Sequence, residues 1–318
     1  MMEVRKNEPM SRHTTFRAGG PADLFLLPET AEELLAAVER YSGEMDVRVI
    51  GNGSNLLVSD AGFRGAVIST ERLCSVQSAK GVDGSVCLTA GAGILLSKLA
   101  SEALRAGLSG LESASGIPGS LGGAVVMNAG AYGFEMKDIV SRVRVLTREG
   151  ELLWVGRDAM KFSYRHSSVP ENGWIVVEAE LSLTPGDSDV IRERMEELAA
   201  RRREKQPLSY PSAGSTFKRP AGHFAGQLIE EAGLKGFSLG GAQVSEKHAG
   251  FVINRDGASA AQIYALCQEV KRRVLENSGV RLELEVQLLG EFDGTEEESE
   301  SEIDHRHGNV GSGEEHRA

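Results

Sequence analysis

Two short segments carry too much glycine among polar residues to be ordinary helix or strand. Gly51-Asn52-Gly53-Ser54-Asn55-Leu56 follows directly on the apolar pair Val49-Ile50. Ser115-Gly116-Ile117-Pro118-Gly119-Ser120-Leu121-Gly122-Gly123-Ala124 leads into Asn128-Ala129-Gly130-Ala131-Tyr132-Gly133. Glycine lets a backbone approach a ligand closely, and successive N–H groups in such a loop can converge on a phosphate. One loop alone reads as a turn. A buried small-residue helix explains 122–127 but not the loops around it, and two such loops favour a dinucleotide with a pyrophosphate. The chain holds 38 glycines, where average usage of ~7% gives roughly 22. Neither the Rossmann fingerprint nor GxxxxGK[ST] is present.

Apolar spacing predicts helices over 29–41, 95–105, 188–205, 225–232 and 259–277. Thr30 with Glu33 and Ser259 with Gln262 look like capping boxes. Short strands are expected at 46–50, 65–69, 86–89, 174–183, 242–245 and 250–254, a hairpin over 140–155, and a last strand over 280–289. Residues 206–214 read as a junction. The chain then divides into an N-terminal extension (1–14), a two-lobed domain (15–205, its lobes meeting near 70–80), a smaller α+β domain (206–290) and a tail (291–318). The tail carries ten acidic residues against two arginines. It has too little apolar content to fold alone and reads as disordered and dispensable.

The net charge of −11 argues against nucleic acid as a partner. Three scattered cysteines suggest neither a disulfide framework nor a metal site. No apolar run is long enough to span a membrane, and 1–12 lacks the apolar core of a leader. The expectation is a cytoplasmic monomer without membrane insertion.

Phe162-Ser163-Tyr164-Arg165-His166 gathers hydroxyls, an Arg and a His; Arg suits a carboxylate or phosphate, and by composition a surface loop fits the segment equally well. Ser212 to Pro220 places small residues before Lys218 and Arg219. Glu285 sits in Leu282-Glu283-Leu284-Glu285-Val286, where alternation alone points it at solvent. Arg201-Arg202-Arg203 ends a helix and reads as a solvated face. From residues alone, the expectation is a dinucleotide-binding enzyme for an anionic substrate, with the reaction undetermined.

Taken in order, these segments resemble a known family. Thr14-Thr15-Phe16-Arg17-Ala18-Gly19-Gly20-Pro21, Gly51 to Leu57, Gly116 to Ala124, Met127 to Ala131, Tyr164-Arg165, Ala213 to Pro220 and Lys247 to Asn254 are similar to the UDP-N-acetylenolpyruvoylglucosamine reductases. The short interval from Arg165 to Ser215 looks like the shorter form of that family. Arg219 stands where the longer form has Asn. The resemblance implies an α+β protein: a two-lobed FAD-binding domain of the vanillyl-alcohol-oxidase type plus a C-terminal α+β substrate-binding domain. It implies NADPH-dependent reduction of a UDP-linked enolpyruvyl ether in peptidoglycan precursor synthesis, through non-covalent FAD. Cofactor contacts would come from Gly51, Asn52, Gly53, Ser54, Asn55, Leu56, Ser115, Gly116, Ile117, Pro118, Gly119, Gly122, Gly123, Asn128, Gly130 and Ala131. Arg165 and a protonated Glu285 would hold the charge that develops on the substrate carboxylate, and Ser215 would protonate the adjacent carbon. Tyr164, Lys218 and Arg219 would contact substrate. No metal is implied. Two rivals stay open here: an oxygen-using FAD oxidase of the same fold, and a nucleotide-binding module without catalysis.

Overall fold

The computed structural model describes residues 2–80 and 86–292. The run Leu24-Phe25-Leu26-Leu27 is apolar on both faces, as a strand covered from both sides must be. It belongs to Pro21–Leu27, central in a four-stranded sheet. Glu3–Pro9 pairs with it antiparallel on one side. Phe63–Ser69 pairs with it parallel on the other, followed by Val47–Ile50. The segment 1–14, expected to be an extension, therefore contributes an edge strand, and its charged side chains suit an edge. Phe25 and Leu27 pack with Val58 and Leu289 on one face. Leu26 packs with Leu34 and Ala37 on the other. The latter two come from helix α1 (Ala31–Tyr41), whose first turn is capped by Thr30 Oγ1 accepting from Glu33 N at 3.2 Å.

The second lobe is an antiparallel sheet in the order Leu152–Gly156, Val140–Leu146, Ile175–Pro185, Val86–Gly91, Val76–Lys80. Helices α2 (Leu96–Arg105) and α3 (Leu121–Val126) cover it through Leu96, Leu99, Leu121 and Val125. Helix α4 (Ser188–Lys205) follows. The C-terminal domain packs α5 (Ala225–Glu231) and α6 (Ala260–Ser278) with the three strands Ser238–Leu239, Ala242–Val244 and Val252–Asn254. The Ser259/Gln262 capping box is formed on α6, and Asp60 of the first lobe accepts from Ala260 N and Ala261 N, each at 2.8 Å. One carboxylate thus caps a helix and docks two domains.

The expected strand over 280–289 is not continuous. Leu284 makes an isolated bridge with Phe217, and only Gln287–Leu289 is a strand, pairing parallel with Leu56–Val58 of the first lobe. The segment changes partners midway because it crosses between two bodies. The body also extends beyond 290. Phe292 is 8% exposed and its ring centroid lies 5.0 Å from that of Tyr264 in the C-terminal core. The remainder of the expected tail, 293–318, lies outside the described residues. Phe292→Ala should cost about 3 kcal/mol, as for truncation of a buried aromatic. A chain ending at Phe292 should melt with the full-length protein, and one ending at Gly290 several degrees lower; thermal denaturation of the three separates these outcomes.

Candidate active site

The first glycine loop leaves the strand Val47–Ile50 and ends at Leu56, the first residue of the strand joined to Gln287–Leu289. Asn55 fuses that loop to the carboxylate segment. Its Nδ2 donates to Glu285 O at 2.9 Å and its carbonyl accepts from Gln287 N at 2.9 Å. Glu285 N in turn donates to Thr216 O at 2.9 Å. Three stretches far apart in sequence thereby share one backbone network.

The second loop lies against the first. Asn52 Nδ2 donates to Pro118 O at 2.9 Å. A Cβ on Gly51 would run into Ser120 Oγ, and one on Gly53, at φ +59°, would run into the His13 carbonyl. Ser120 caps the N-terminus of α3 positionally, yet its buried hydroxyl has no hydrogen-bond partner, and neither does Thr15 Oγ1. Buried hydroxyls are normally satisfied. An orphaned hydroxyl in a glycine-lined cradle fits a phosphate-bearing cofactor. Gly123 is exposed on the Ser120 side, while Gly122 packs on Ala92 with no room for a Cβ. Of these two expected cofactor contacts, Gly122 serves packing.

Asn128 departs further from its expected role. It is fully buried, at φ +41°, and its Nδ2 donates to Glu135 Oε2 at 3.1 Å and to Ser163 O at 2.9 Å, while Oδ1 accepts from Lys137 N at 3.0 Å. Both its donors are used, so its side chain positions the Ser163 turn rather than a cofactor. Gly130 and Ala131 form a tiny hairpin with Phe134–Glu135, turning at Tyr132 and Gly133, both at positive φ. Such a pair matches a two-residue hairpin turn.

Arg202 corrects the reading of 201–203 as a solvated face. It is 9% exposed, donates to the Gly116 carbonyl, and its guanidinium carbon lies 5.9 Å from the Tyr132 ring centroid. Among the described residues no carboxylate pairs with it. A buried cation without an anion is costly, so Arg202 also suits a phosphate-bearing ligand. The signal was present: 202 continues the spacing of Ile191, Met195 and Leu198 on the inner face of α4.

Tyr164 and Arg165 form the apex of a tight turn closed by Ser163 N to His166 O at 3.1 Å and the reciprocal bond at 3.2 Å. Arg165 adopts φ +54°, a strained conformation for a side chain of this kind. Its Nε donates to Glu285 Oε1 at 2.7 Å. Glu285, expected from alternation to face solvent, is 9% exposed. Burial raises its pKa above the ordinary carboxylate value and outweighs the opposing pull of Arg165 and Lys218. Ser215 is exposed between Gly214 and Thr216, whose carbonyl holds Glu285 N. Lys218 Nζ pairs with Glu283 Oε2 at 3.1 Å, and Arg219 N donates to Tyr164 Oη at 3.2 Å. An open groove lined by Asp138, Arg157 and Ser182 lies elsewhere on the second lobe. No group of His, Cys, Asp and Glu among the described residues could hold a metal ion.

Two glycine loops that together can cradle a phosphate-bearing cofactor, joined through Asn55 to a buried Arg–Glu pair, suit a flavin-dependent oxidoreductase, the class that the comparisons show. An FAD binding domain model matches residues 22–156, and the model of the UDP-N-acetylenolpyruvoylglucosamine reductase C-terminal domain matches 206–289. The UDP-N-acetylenolpyruvoylglucosamine reductase of Agathobacter rectalis is 53% identical over 90% of this chain and 94% of its own. That of Caldanaerobacter subterraneus is 50% identical over 90% and 93%. The crystal structure of the Thermus caldophilus enzyme aligns with TM-score 0.76 at 38% identity, covering 91% of this chain and 99% of the other. The chain belongs to the UDP-N-acetylenolpyruvoylglucosamine reductase family.

The two loops predict different consequences of substitution. A Cβ at Gly119 meets only Ser54 Oγ at 3.4 Å, whereas one at Gly53 meets backbone. Gly119→Val should therefore fold normally yet purify with much of its flavin missing. Gly53→Val should lose both stability and flavin. Absorbance ratios at the flavin and protein maxima, with melting curves, check both; full flavin content in Gly119→Val would remove that loop from the cradle.

Proposed function

We propose that this chain reduces the enolpyruvyl ether of UDP-N-acetylglucosamine enolpyruvate to the lactyl ether of UDP-N-acetylmuramate, using NADPH, in peptidoglycan precursor synthesis. The observation that carries the reading is the buried Glu285–Arg165 pair, bonded through Asn55 to the glycine loop that follows Val47–Ile50. FAD, when bound, supplies the chemistry of accepting a hydride from NADPH and delivering one to the substrate's methylene carbon. Gly51, Gly53, Gly119, Ser120 and Gly123 would hold it, with Arg202 adding positive charge.

The chain's own residues then manage charge and a proton. Arg165 binds the substrate carboxylate, whose negative charge increases as the double bond is lost. A protonated Glu285 donates a hydrogen bond to the same group. A bound carboxylate nearby further favours that proton, because like charges disfavour the ionised acid. Donors fixed in advance at the position where charge develops stabilise the transition state strongly. Ser215 gives its hydroxyl proton to the carbon bearing the ether oxygen. A serine hydroxyl is a weak acid, but the enolate is a strong base, so placement suffices.

The proposed scheme calls on no second copy of the chain, and action as a monomer is part of this reading. Among the described residues no helix is long and apolar enough to cross a membrane. UDP-linked substrate and NADPH are both intracellular metabolites, which supports a cytoplasmic site of action. The test is direct: the purified protein should be yellow, bleach with NADPH, and regain colour with the enolpyruvyl substrate. Colour returning only with oxygen would favour an oxidase instead.

A further inference from the structure

Five residues from three segments form a continuous ladder out of the site, joined at one step by a backbone N–H. Glu285 holds Arg165 at 2.7 Å. The Arg165 guanidinium carbon lies 5.0 Å from the Tyr164 ring centroid. Tyr164 Oη accepts from Arg219 N at 3.2 Å, and the Arg219 guanidinium carbon lies 4.6 Å from the Phe224 ring centroid. Exposure rises along the ladder, from 9% at Glu285 to 47% at Tyr164 and 57% at Phe224.

Phe224 immediately precedes α5, whose Ala225, Leu228 and Ile229 are all buried. A scattered exposed aromatic needs no explanation. Phe224 differs because it terminates a chain of contacts that begins at the acid proposed to act on substrate. One contact of its ring is the Arg219 cation, a favourable cation–aromatic pair that orients the ring while leaving much of it open to solvent.

The substrate of the proposed reaction has matching polarity along its length. Its reacting carboxylate is at one end, a diphosphate in the middle, and a flat uracil ring at the other. Anchored at Arg165 and Glu285 and laid along this ladder, it would bring anionic phosphates toward Arg219 and an aromatic base beyond. We propose that Phe224 is the stacking platform for the uracil ring of the UDP substrate, with Arg219 fixing the ring and facing the diphosphate. This rests on the functional reading above. Base–aromatic stacking is sequence-tolerant and depends on a flat π face rather than on apolar bulk.

The experiment uses flavin-loaded protein and UDP as probe. Titration calorimetry should show UDP binding weakened about tenfold in Phe224→Ala, corresponding to the loss of one base–aromatic stack. The KM for the enolpyruvyl substrate should rise by a similar factor with kcat little changed. Phe224→Trp should restore both values; Phe224→Leu, which keeps bulk without a π face, should resemble Ala. Unchanged UDP affinity in Phe224→Ala, or full rescue by Leu, would overturn the platform. So would a rise confined to the KM for NADPH, which would assign the ring to the coenzyme's base. A wild-type protein that neither binds UDP nor turns over the enolpyruvyl substrate would overturn the functional reading and the platform with it. A competent wild type with an indifferent Phe224→Ala would overturn the platform alone.

Discussion

Ser215→Ala should leave the bleaching of the flavin by NADPH near its normal rate while slowing reoxidation by the enolpyruvyl substrate roughly 10²–10⁴-fold, the usual contribution of a positioned general acid. The structure makes this a clean test. Ser215 makes no side-chain hydrogen bond among the described residues. The turn around it is held by its neighbour: Thr216 N donates to Gly250 O at 2.9 Å, Thr216 Oγ1 accepts from Val252 N at 2.9 Å, and Thr216 O accepts from Glu285 N at 2.9 Å. Removing the Ser215 hydroxyl thus leaves the fold intact. If Ser215 merely shaped the turn, both half-reactions would stay normal. Rapid-mixing absorbance of each half-reaction distinguishes the cases, and an unchanged reoxidation rate ends the proton-donor assignment.

Glu285 should impose a pH dependence on that same half-reaction. It can donate a hydrogen bond to the developing charge only while protonated. Its pKa is raised by burial, so the protonated fraction persists above the pH at which an ordinary carboxyl would ionise. Reoxidation should therefore be fastest at lower pH and fall as pH climbs through the raised value. In Glu285→Gln the amide donates at every pH, so the falling limb should disappear while a substantial rate remains. Glu285→Ala removes the donor and should slow reoxidation by about 10²–10³-fold, the scale for loss of one donor to a developing oxyanion. The bleaching step should show none of these changes. A falling limb retained in Glu285→Gln would assign the titration to another group.

Much of the helical architecture was legible because helix periodicity and caps are local signals. α4 runs from Ser188 to Lys205 as the spacing indicates, and α6 carries its Ser259/Gln262 box. Strand partners were less legible. Glu3–Pro9 is polar enough to look like a loose end, and becomes a strand because Pro21–Leu27 offers it an open edge. Residues 280–289 alternate well enough to suggest one strand, but their partner changes from Phe217 to Leu56–Val58 across a domain boundary. Arg202 illustrates the same limit on a helix. Three consecutive arginines look alike until helical register turns one of them inward.

The glycine loops, the Tyr164-Arg165 pair and the Gly214-Ser215 turn were visible in the sequence because each is a local chemical pattern. Their assembly was not. Glu285 is an ordinary acid by its neighbours in sequence, and its pKa is raised only because folding buries it, against the pull of an arginine 120 positions away. Asn55 looks like one more polar loop residue until its amide meets the Glu285 carbonyl, 230 positions on. Local backbone preference and periodicity are written residue by residue, so the sequence alone determined which segments could cradle phosphate or form helices. Desolvation and charge proximity exist only between segments folded against each other, so tertiary structure alone decided which arginine, which glutamate and which asparagine build the site.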